Sequence, residues 1–281
     1  MIFQGVVSGW LARTYGKKSF QRFYEWLHRT ALYGLNTGGP AGEVHQSGEV
    51  CLLRRLAVLW ADSPVVAFDV GANHGDYLRA LLDAFRGHSN VRIYAFEPAA
   101  GPFHALNRVI ASAPPGVIVE SCQLGLGEKD EMRDLFSTGE KDSSVLSSLY
   151  SRRLDHFGIR MPNRETVQLT TLDDFTAKKG ISRIQLLKLD VEGHELAVLR
   201  GAQKMIEKGA IDYIQFEFGG CNIDSHTHFQ DFYYFLNDHF RLYRILRDGL
   251  FPLPLYRETD EIFTTTNYLA ERRTLPVLLN G

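Results

Sequence analysis

Residues 65–77, VVAFDVGANHGDY, decide the fold. The run VVAFDV is short, β-branched and apolar, as a buried strand should be. It ends on Asp69 and Val70 and breaks into a turn with glycines four apart, Gly71 and Gly75. Tyr77, Leu78, Leu81, Leu82 and Phe85 then recur on one stripe of a helix. A strand that turns through glycine into a helix points backbone N–H groups at a ligand on the carboxyl edge of a sheet. Gly71 and Gly75 let the backbone approach that ligand, Asn73 sits between them, and Asp69 can accept a hydrogen bond from the strand end.

The same alternation continues outward. VRIYAFE (91–97) and VIVESCQ (117–123) read as strands, with a helix around PFHALNRVIAS (102–112) between them. RIQLLKLD (183–190) and IDYIQFEF (211–218) are further strands, followed by helices from Glu195 and from Phe229. Repeated β-α-β units predict an α/β fold, a mostly parallel sheet with helices on both faces. RLYRIL (241–246) and EIFTTTNYLA (261–270) have no helix between them and are expected to pair as an antiparallel edge. Between 126 and 183 lies an irregular insert in which MRDLFS and TVQLTTL suggest a small hairpin. The turn-rich stretch 247–260 is read as loop.

The second strand closes on Glu97 and Pro98, with Glu97 22 residues beyond Gly75. That matches the acid, about 20 residues on, that grips a ribose diol in dinucleotide folds. The dinucleotide fingerprint GxGxxG is absent, however; the spacing is GxxxG. A pyrophosphate needs several glycines around it, whereas S-adenosylmethionine carries no phosphate and has a sulfonium that suits acidic surroundings. The methyl donor is therefore preferred over NAD as the cofactor.

Composition narrows the classes. The chain has 281 residues, 44% of them hydrophobic, and a net charge of -2. It can bury a large core and presents no overall basic field for nucleic acid. Cys51, Cys122 and Cys221 are far apart, with no CxxC, so neither a disulfide framework nor a zinc knuckle is expected and a reduced, cytoplasmic location fits. The N-terminal MIFQGVVSGWLARTYGKK is too short and interrupted for a transmembrane segment, leaving peripheral membrane contact as the alternative. Phe20, Phe23, Tyr24, Leu27 and Ala31 predict an amphipathic helix over 19–31 that covers a later domain. The glycine-rich 34–48 is expected to act as a lid-like loop. Residues 1–62 are thus taken as a helical extension and 63–281 as the main domain.

AFDVGANHGDY, IYAFEP, TTLDDF and LLKLDVEGHELAVLRGA, in this order, resemble the FkbM-type methyltransferases, a branch of the S-adenosylmethionine-dependent class. The likeness covers about residues 48–270, and DVEGHE is its most specific part. It implies a Rossmann-like class I fold with seven strands in the order 3-2-1-4-5-7-6. It also implies methyl transfer to hydroxyls of sugars, glycans or secondary metabolites. Adenine contacts are implied near Leu124 and Gly125, although Gln123 stands where related sequences often have alanine.

The cluster KLDVEGHE (188–195) then falls at the acceptor side. Asp69, Glu97, Asp190 and Glu217 all stand at strand ends, so the fold would gather them around one crevice. A neutral hydroxyl needs a proton acceptor, and His194, titrating nearest neutrality, is the candidate base. Asp190, which would face both donor and acceptor, or Glu192 would orient it or touch the hydroxyl. The alternatives are that His194 lies on a helix surface and that Glu195 is only a helix cap. Glu217, His226 and His228 are expected at the substrate, with Phe218, Phe229 and Tyr233 either stacking on a sugar or packing the core. No metal is assigned, although Asp190, Glu192 and Glu217 are hard oxygen donors. The expected partner is a small-molecule or glycan acceptor, with a homo-oligomer compatible. Methyl transfer to nitrogen or carboxylate, or a non-catalytic S-adenosylmethionine-binding domain, are the competing readings; the Asn/Asp-Pro-Pro-aromatic run of nitrogen-directed enzymes is absent.

Overall fold

The strands VVAFDV, VRIYAF, IQLLKL and IDYIQFEF lack polar alternation because both of their faces are covered. The computed structural model describes residues 9, 11–138 and 146–278. In chain order the elements begin α1 (Gln21–Gly34), α2 (Glu49–Leu59), β1 (Val65–Val70), α3 (Asp76–Ala84), β2 (Val91–Phe96), α4 (Ala100–Ile110) and β3 (Val117–Cys122). An excursion follows through β4 (Gly125–Leu126), β5 (Glu131–Ser137), β6 (Ser147–Ser148) and β7 (Asn163–Thr170). The chain returns through α5 (Leu172–Lys179), β8 (Ile184–Leu189), α6 (Glu195–Arg200), α7 (Gln203–Glu207) and β9 (Ile211–Phe218). It closes with α8 (Cys221–Ser225), α9 (Phe229–Leu236), β10 (Phe240–Leu246), β11 (Gly249–Pro252) and β12 (Thr266–Arg272).

The main sheet runs β3-β2-β1-β8-β9-β12-β10-β11. The first five strands are parallel, and β12, β10 and β11 add antiparallel pairs. Seven of them follow the expected order of a Rossmann-like class I methyltransferase, with β12 lying between β9 and β10. The expectation of seven strands needs one correction: β11 is an eighth. Leu246 pairs with Gly249, so Arg247 and Asp248 make a two-residue hairpin, and Pro252 is tolerated because β11 is an outer strand. The glycine and prolines that made 247–260 read as loop hid it.

Successive residues of β1 serve opposite faces. Phe68 and Val70 join Phe96, Leu187, Leu189 and the α5, α6 and α9 side chains in one core cluster. Val65 and Ala67 join Ile93, Leu186 and the α2 and α3 side chains in the other. Leu52, Leu53, Leu56, Ala57 and Trp60 are all buried there, so α2 covers this face. The helix expected over 19–31 forms as α1, but none of its residues is buried. The aliphatic stripe of α2 fills the position that α1 was expected to cover.

The insert hairpin forms, with β5 and β7 paired from Glu131↔Leu169 to Ser137↔Asn163. It belongs to a second sheet, β4-β7-β5-β6, whose own small core contains Leu135, Leu149, Val167 and Leu169. Residues 1–8 and 10 of the N-terminal stretch, and 139–145 of the insert, lie outside the described residues. No described helix is long and apolar enough to cross a membrane.

Candidate active site

The glycine turn is tied to both neighbouring strands. Gly71 N and Ala72 N donate to Phe96 O at 3.0 and 2.8 Å, and Asp190 N donates to Val70 O at 3.0 Å. The ends of β1, β2 and β8 are thereby held together at the carboxyl edge. Gly71 has φ +82°, and an added Cβ would stand 1.8 Å from Asp190 O. Only glycine fits there.

Glu97 is 6% exposed. Its Oε2 accepts from Asn73 N at 2.9 Å and its Oε1 from Ala99 N at 2.8 Å. The carboxyl group therefore fixes the turn and keeps further acceptor capacity on each oxygen. Burial pushes its pKa up to about 7 against the lowering effect of the two amides. Glu97 faces a cavity of about 450 Å³, within the range of small-ligand sites. Gly71, Ala72, Asn73, Pro98 and Gly125 line it beside Glu97; Asp190, Val191, Glu192, His194 and Glu217 also line it. Gly42 and Val44, from the glycine-rich loop, and Leu146, Ser147 and Leu149, from the insert, complete its walls.

Lys188 is the charge at the centre of this wall. It is 4% exposed, with Nζ 2.9 Å from Asp190 Oδ2, 3.9 Å from Asp69 and 4.8 Å from the centre of the Tyr77 ring. Burial disfavours the ammonium, yet Asp190, Asp69 and Glu49 around it hold its pKa above the ordinary lysine range. Glu49, at the start of α2, accepts from Ser47 Oγ at 2.7 Å and from Gln215, and Tyr77 OH donates to Gln215 Oε1 at 2.7 Å. A buried polar chain thus runs from the loop before α2 to the lysine. Lys188 does not stand out in the sequence, because a lysine inside an apolar strand carries no visible partner.

The loop 190–194 is shaped from inside and gripped from outside. Glu195 is fully buried, and its Oε1 accepts from Val191 N at 2.9 Å and Gly193 N at 3.1 Å. It fastens the loop that precedes its own helix. From the insert, three alternate residues, one in β6 and two in the irregular stretch after it, reach across. Ser148 Oγ donates to Glu192 O at 2.7 Å, Tyr150 OH lies 2.9 Å from His194 Nδ1, and Arg152 Nη1 donates to Glu192 Oε2 at 2.6 Å. His194 is 5% exposed, and burial followed by the Arg133 charge lowers its pKa to about 4. It is a buried neutral imidazole and does not lie on a helix surface. Glu217 lines the cavity, with burial and then the neighbouring Asp190 holding its carboxyl well above the usual range.

Other expected residues fall elsewhere. Asp69 has no exposed surface and does not line the cavity; it lies behind the wall, facing Lys188. Leu124 packs against the core beside Gly125. His226 caps the short α8 in the left-handed region at φ 56°, and His228 is the N-cap of α9 with its side chain 60% exposed next to Asp231; neither lines the cavity. Phe218, Phe229 and Tyr233 are core residues at 0%, 0% and 4% exposure. Tyr150 and Arg152 were missed. Their signal was the every-second-residue spacing of Ser148, Tyr150 and Arg152 in SSLYSRR, which the serine-rich composition obscured. Among the described residues no group of three or more His, Cys, Asp or Glu is arranged to hold a metal ion.

These environments predict an unusual pH dependence. Asp69 is raised to about 6, and Glu97, Glu192 and Glu195 to about 7, each chiefly by burial. The folded chain therefore keeps protons that the unfolded chain has released, and this stabilisation is lost as pH rises through the folded values. His194 acts oppositely: its folded value is below 6.5, so its contribution grows as pH rises from about 4 to 6.5. Above that, of these five groups, the carboxyl groups dominate the difference between the folded and unfolded chains. The ligand-free protein should lose on the order of 2 kcal/mol between about pH 6.5 and pH 8, a few degrees of Tm in a thermal scan. A Tm that climbed across this window would show that the carboxyl groups are solvated.

Over residues 69–250 the chain matches the domain described as Methyltransferase FkbM domain. The chain belongs to the FkbM methyltransferase family. Similar proteins include 31-O-demethyl-FK506 methyltransferase FkbM from Streptomyces tacrolimicus, 29% identical over 161 residues, 49% of this chain and 59% of that protein. Methyltransferase sdnD from Sordaria araneosa is 29% identical over 157 residues, covering 48% of this chain and 60% of that protein. The chain therefore spans less than two thirds of the length of these relatives. Among solved structures, the O-methyltransferase from Bacillus cereus in complex with SAH aligns over 95% of this chain and 97% of that chain, at 12% identity and a TM-score of 0.44. The FkbM domain holds the glycine turn, Glu97 and the DVEGHE loop within its matched span.

Proposed function

We propose that this FkbM-family chain transfers a methyl group from S-adenosylmethionine to a hydroxyl of a small molecule or glycan. The observation that carries the reading is the Glu97 carboxylate, fixed by Asn73 N and Ala99 N beside the Gly71 turn and open to the cavity. The remaining acceptor capacity of Glu97 fits the two hydroxyls of a ribose diol, with no pyrophosphate cradle to fill. Glu97 would hold the ribose, the 71–73 turn and Gly125 would lie along the nucleoside, and the acidic wall would face the sulfonium. A bound S-adenosylmethionine would supply an electrophilic methyl group.

The chain's own residues then have distinct tasks. Asp190, held by Lys188, would accept the hydrogen bond of the acceptor hydroxyl and take its proton as the hydroxyl reacts. His194 is too weak a base at a pKa of about 4 for that task at neutral pH, and its bond to Tyr150 suits it to bracing the loop. Burial, and then the neighbouring Asp190, raise the Glu217 carboxyl well above the usual range, which favours the protonated form that can donate a hydrogen bond to an acceptor oxygen. Leu146 and Leu149 from the insert would border the acceptor.

Titration calorimetry with S-adenosylhomocysteine tests this directly. Binding is expected in the micromolar range, and Glu97→Gln should weaken it by about 10–100-fold, since a charged acceptor is lost from a buried site. Absence of heat at high micromolar ligand would sink the proposal, and unchanged affinity in Glu97→Gln would remove Glu97 from it.

A further inference from the structure

Helix α1 stands apart from the cores that account for the rest of the fold. None of its residues is buried, and Trp26, Leu27 and Tyr33 are 58%, 43% and 67% exposed. At about 100° per residue these three fall on one arc of the helix, with Arg22 and Arg29 along its edge. Tyr15, just before the helix, is 72% exposed. Residues 11–35 carry Arg13, Lys17, Lys18, Arg22 and Arg29 against the single acid Glu25, in a chain whose net charge is -2. Among the described residues none of these five cations forms an ion pair with a carboxylate.

We propose that α1 and the basic residues leading into it dock the protein on an anionic lipid bilayer surface. The chemistry matches the interface on both counts. Exposed Trp, Tyr and Leu settle at the boundary between headgroups and acyl chains, while adjoining Arg and Lys meet lipid phosphates and carboxylates. A nucleic acid would engage the cations but leave Trp26 and Leu27 in water. The helix is also firmly seated where it ends. Asn36 Nδ2 donates to Ser47 O at 2.7 Å and Ile245 O at 3.1 Å, and Gly38 N donates to Thr265 O at 2.7 Å. The chain between these anchors and α2 contributes Gly42 and Val44 to the cavity wall, so a docked α1 would hold the active-site mouth at a set place relative to the surface.

Co-sedimentation of the full chain with vesicles tests the proposal. Vesicles of phosphatidylcholine with about 30% phosphatidylserine should take up the protein at low salt, and pure phosphatidylcholine should take up at least about tenfold less. Raising salt to about 0.5 M should release most of it. Trp26→Ser/Tyr33→Ser and Arg22→Glu/Arg29→Glu should each lower partitioning at least about tenfold, while S-adenosylhomocysteine calorimetry on the same variants reports that the fold is intact. Protein left in the supernatant with anionic vesicles, or variants that bind as the parent does, would overturn it. So would self-association without lipid that the Trp26→Ser/Tyr33→Ser variant abolishes, because the arc would then be a protein interface.

Discussion

Lys188→Met should cost about 3–5 kcal/mol of stability, the range for removing one partner from a buried ionic group. Methionine keeps most of the unbranched side chain and lacks the ammonium, so the loss reads out mainly the charge, including its place over the Tyr77 ring. What remains is Asp69 with no exposed surface, Glu49 at 4% and Asp190, all without their shared cation. Both Asp69 oxygens already lack a hydrogen-bond donor. The stranded carboxyl groups would escape by taking protons, so the cost should be larger at about pH 8 than at about pH 5. The double variant Lys188→Met/Asp69→Asn should recover part of it, since a neutral amide leaves less charge unpaired. Urea denaturation at the two pH values measures this; a loss below about 1 kcal/mol at both would mean that water, not Lys188, compensates these acids.

Gly71→Ala is the second large effect. The added Cβ would sit 1.8 Å from Asp190 O, a backbone atom that cannot rotate away, at a φ of +82°. Relief requires β1 and β8 to part at their carboxyl ends, against the bond from Asp190 N to Val70 O. We expect at least about 3 kcal/mol of destabilisation and at least about a hundredfold weaker S-adenosylhomocysteine binding. Gly87→Ala is the matched control. It too has a positive φ, +91°, but nothing lies within 4 Å of its would-be Cβ. It should cost only about 1–2 kcal/mol of backbone strain and leave binding unchanged. Equal effects at the two glycines would show that conformation alone, and not the close approach to Asp190, makes Gly71 necessary.

Much of the scaffold could be read from the chain because the signals are local. A β-branched run, a glycine turn and a helical stripe are neighbours in sequence, and the β-α-β rule converts their succession into a parallel sheet. The placement of Glu97 beside the turn also followed, since a fixed number of residues returns the chain to the next strand. The edge strand β11 was lost because glycine and proline dominate GLFP, and sequence cannot tell a proline on an outer strand from one in a loop. The helix α1 shows the converse. Its periodicity predicted a helix, but periodicity states only that an apolar face exists, not what covers it.

Within the site, residue type and position along the strand were legible, and side-chain environment was not. KLDVEGHE announced a cluster of ionisable groups at a strand end. Asp190, Glu192 and His194 do line the cavity, and Glu217 joins them from the next strand. Which of them titrates where depends on contacts from segments that are distant in sequence. Tyr150 and Arg152 arrive from the insert, and Glu49 from ahead of the first strand. His194 looked like the neutral-pH base because its ordinary pKa is near 6.5, and burial lowers it to about 4. His226 and His228 were expected at the substrate because they follow Glu217 closely in the chain, and the turn through the short α8 carries them away from the cavity. The sequence by itself thus determined the sheet, the glycine turn and the family, since these rest on local propensity and chain order. Tertiary structure alone decided that Lys188 anchors the acidic wall, that the insert grips the DVEGHE loop and that α1 lies outside the core, because burial and long-range contact are set by how distant segments pack.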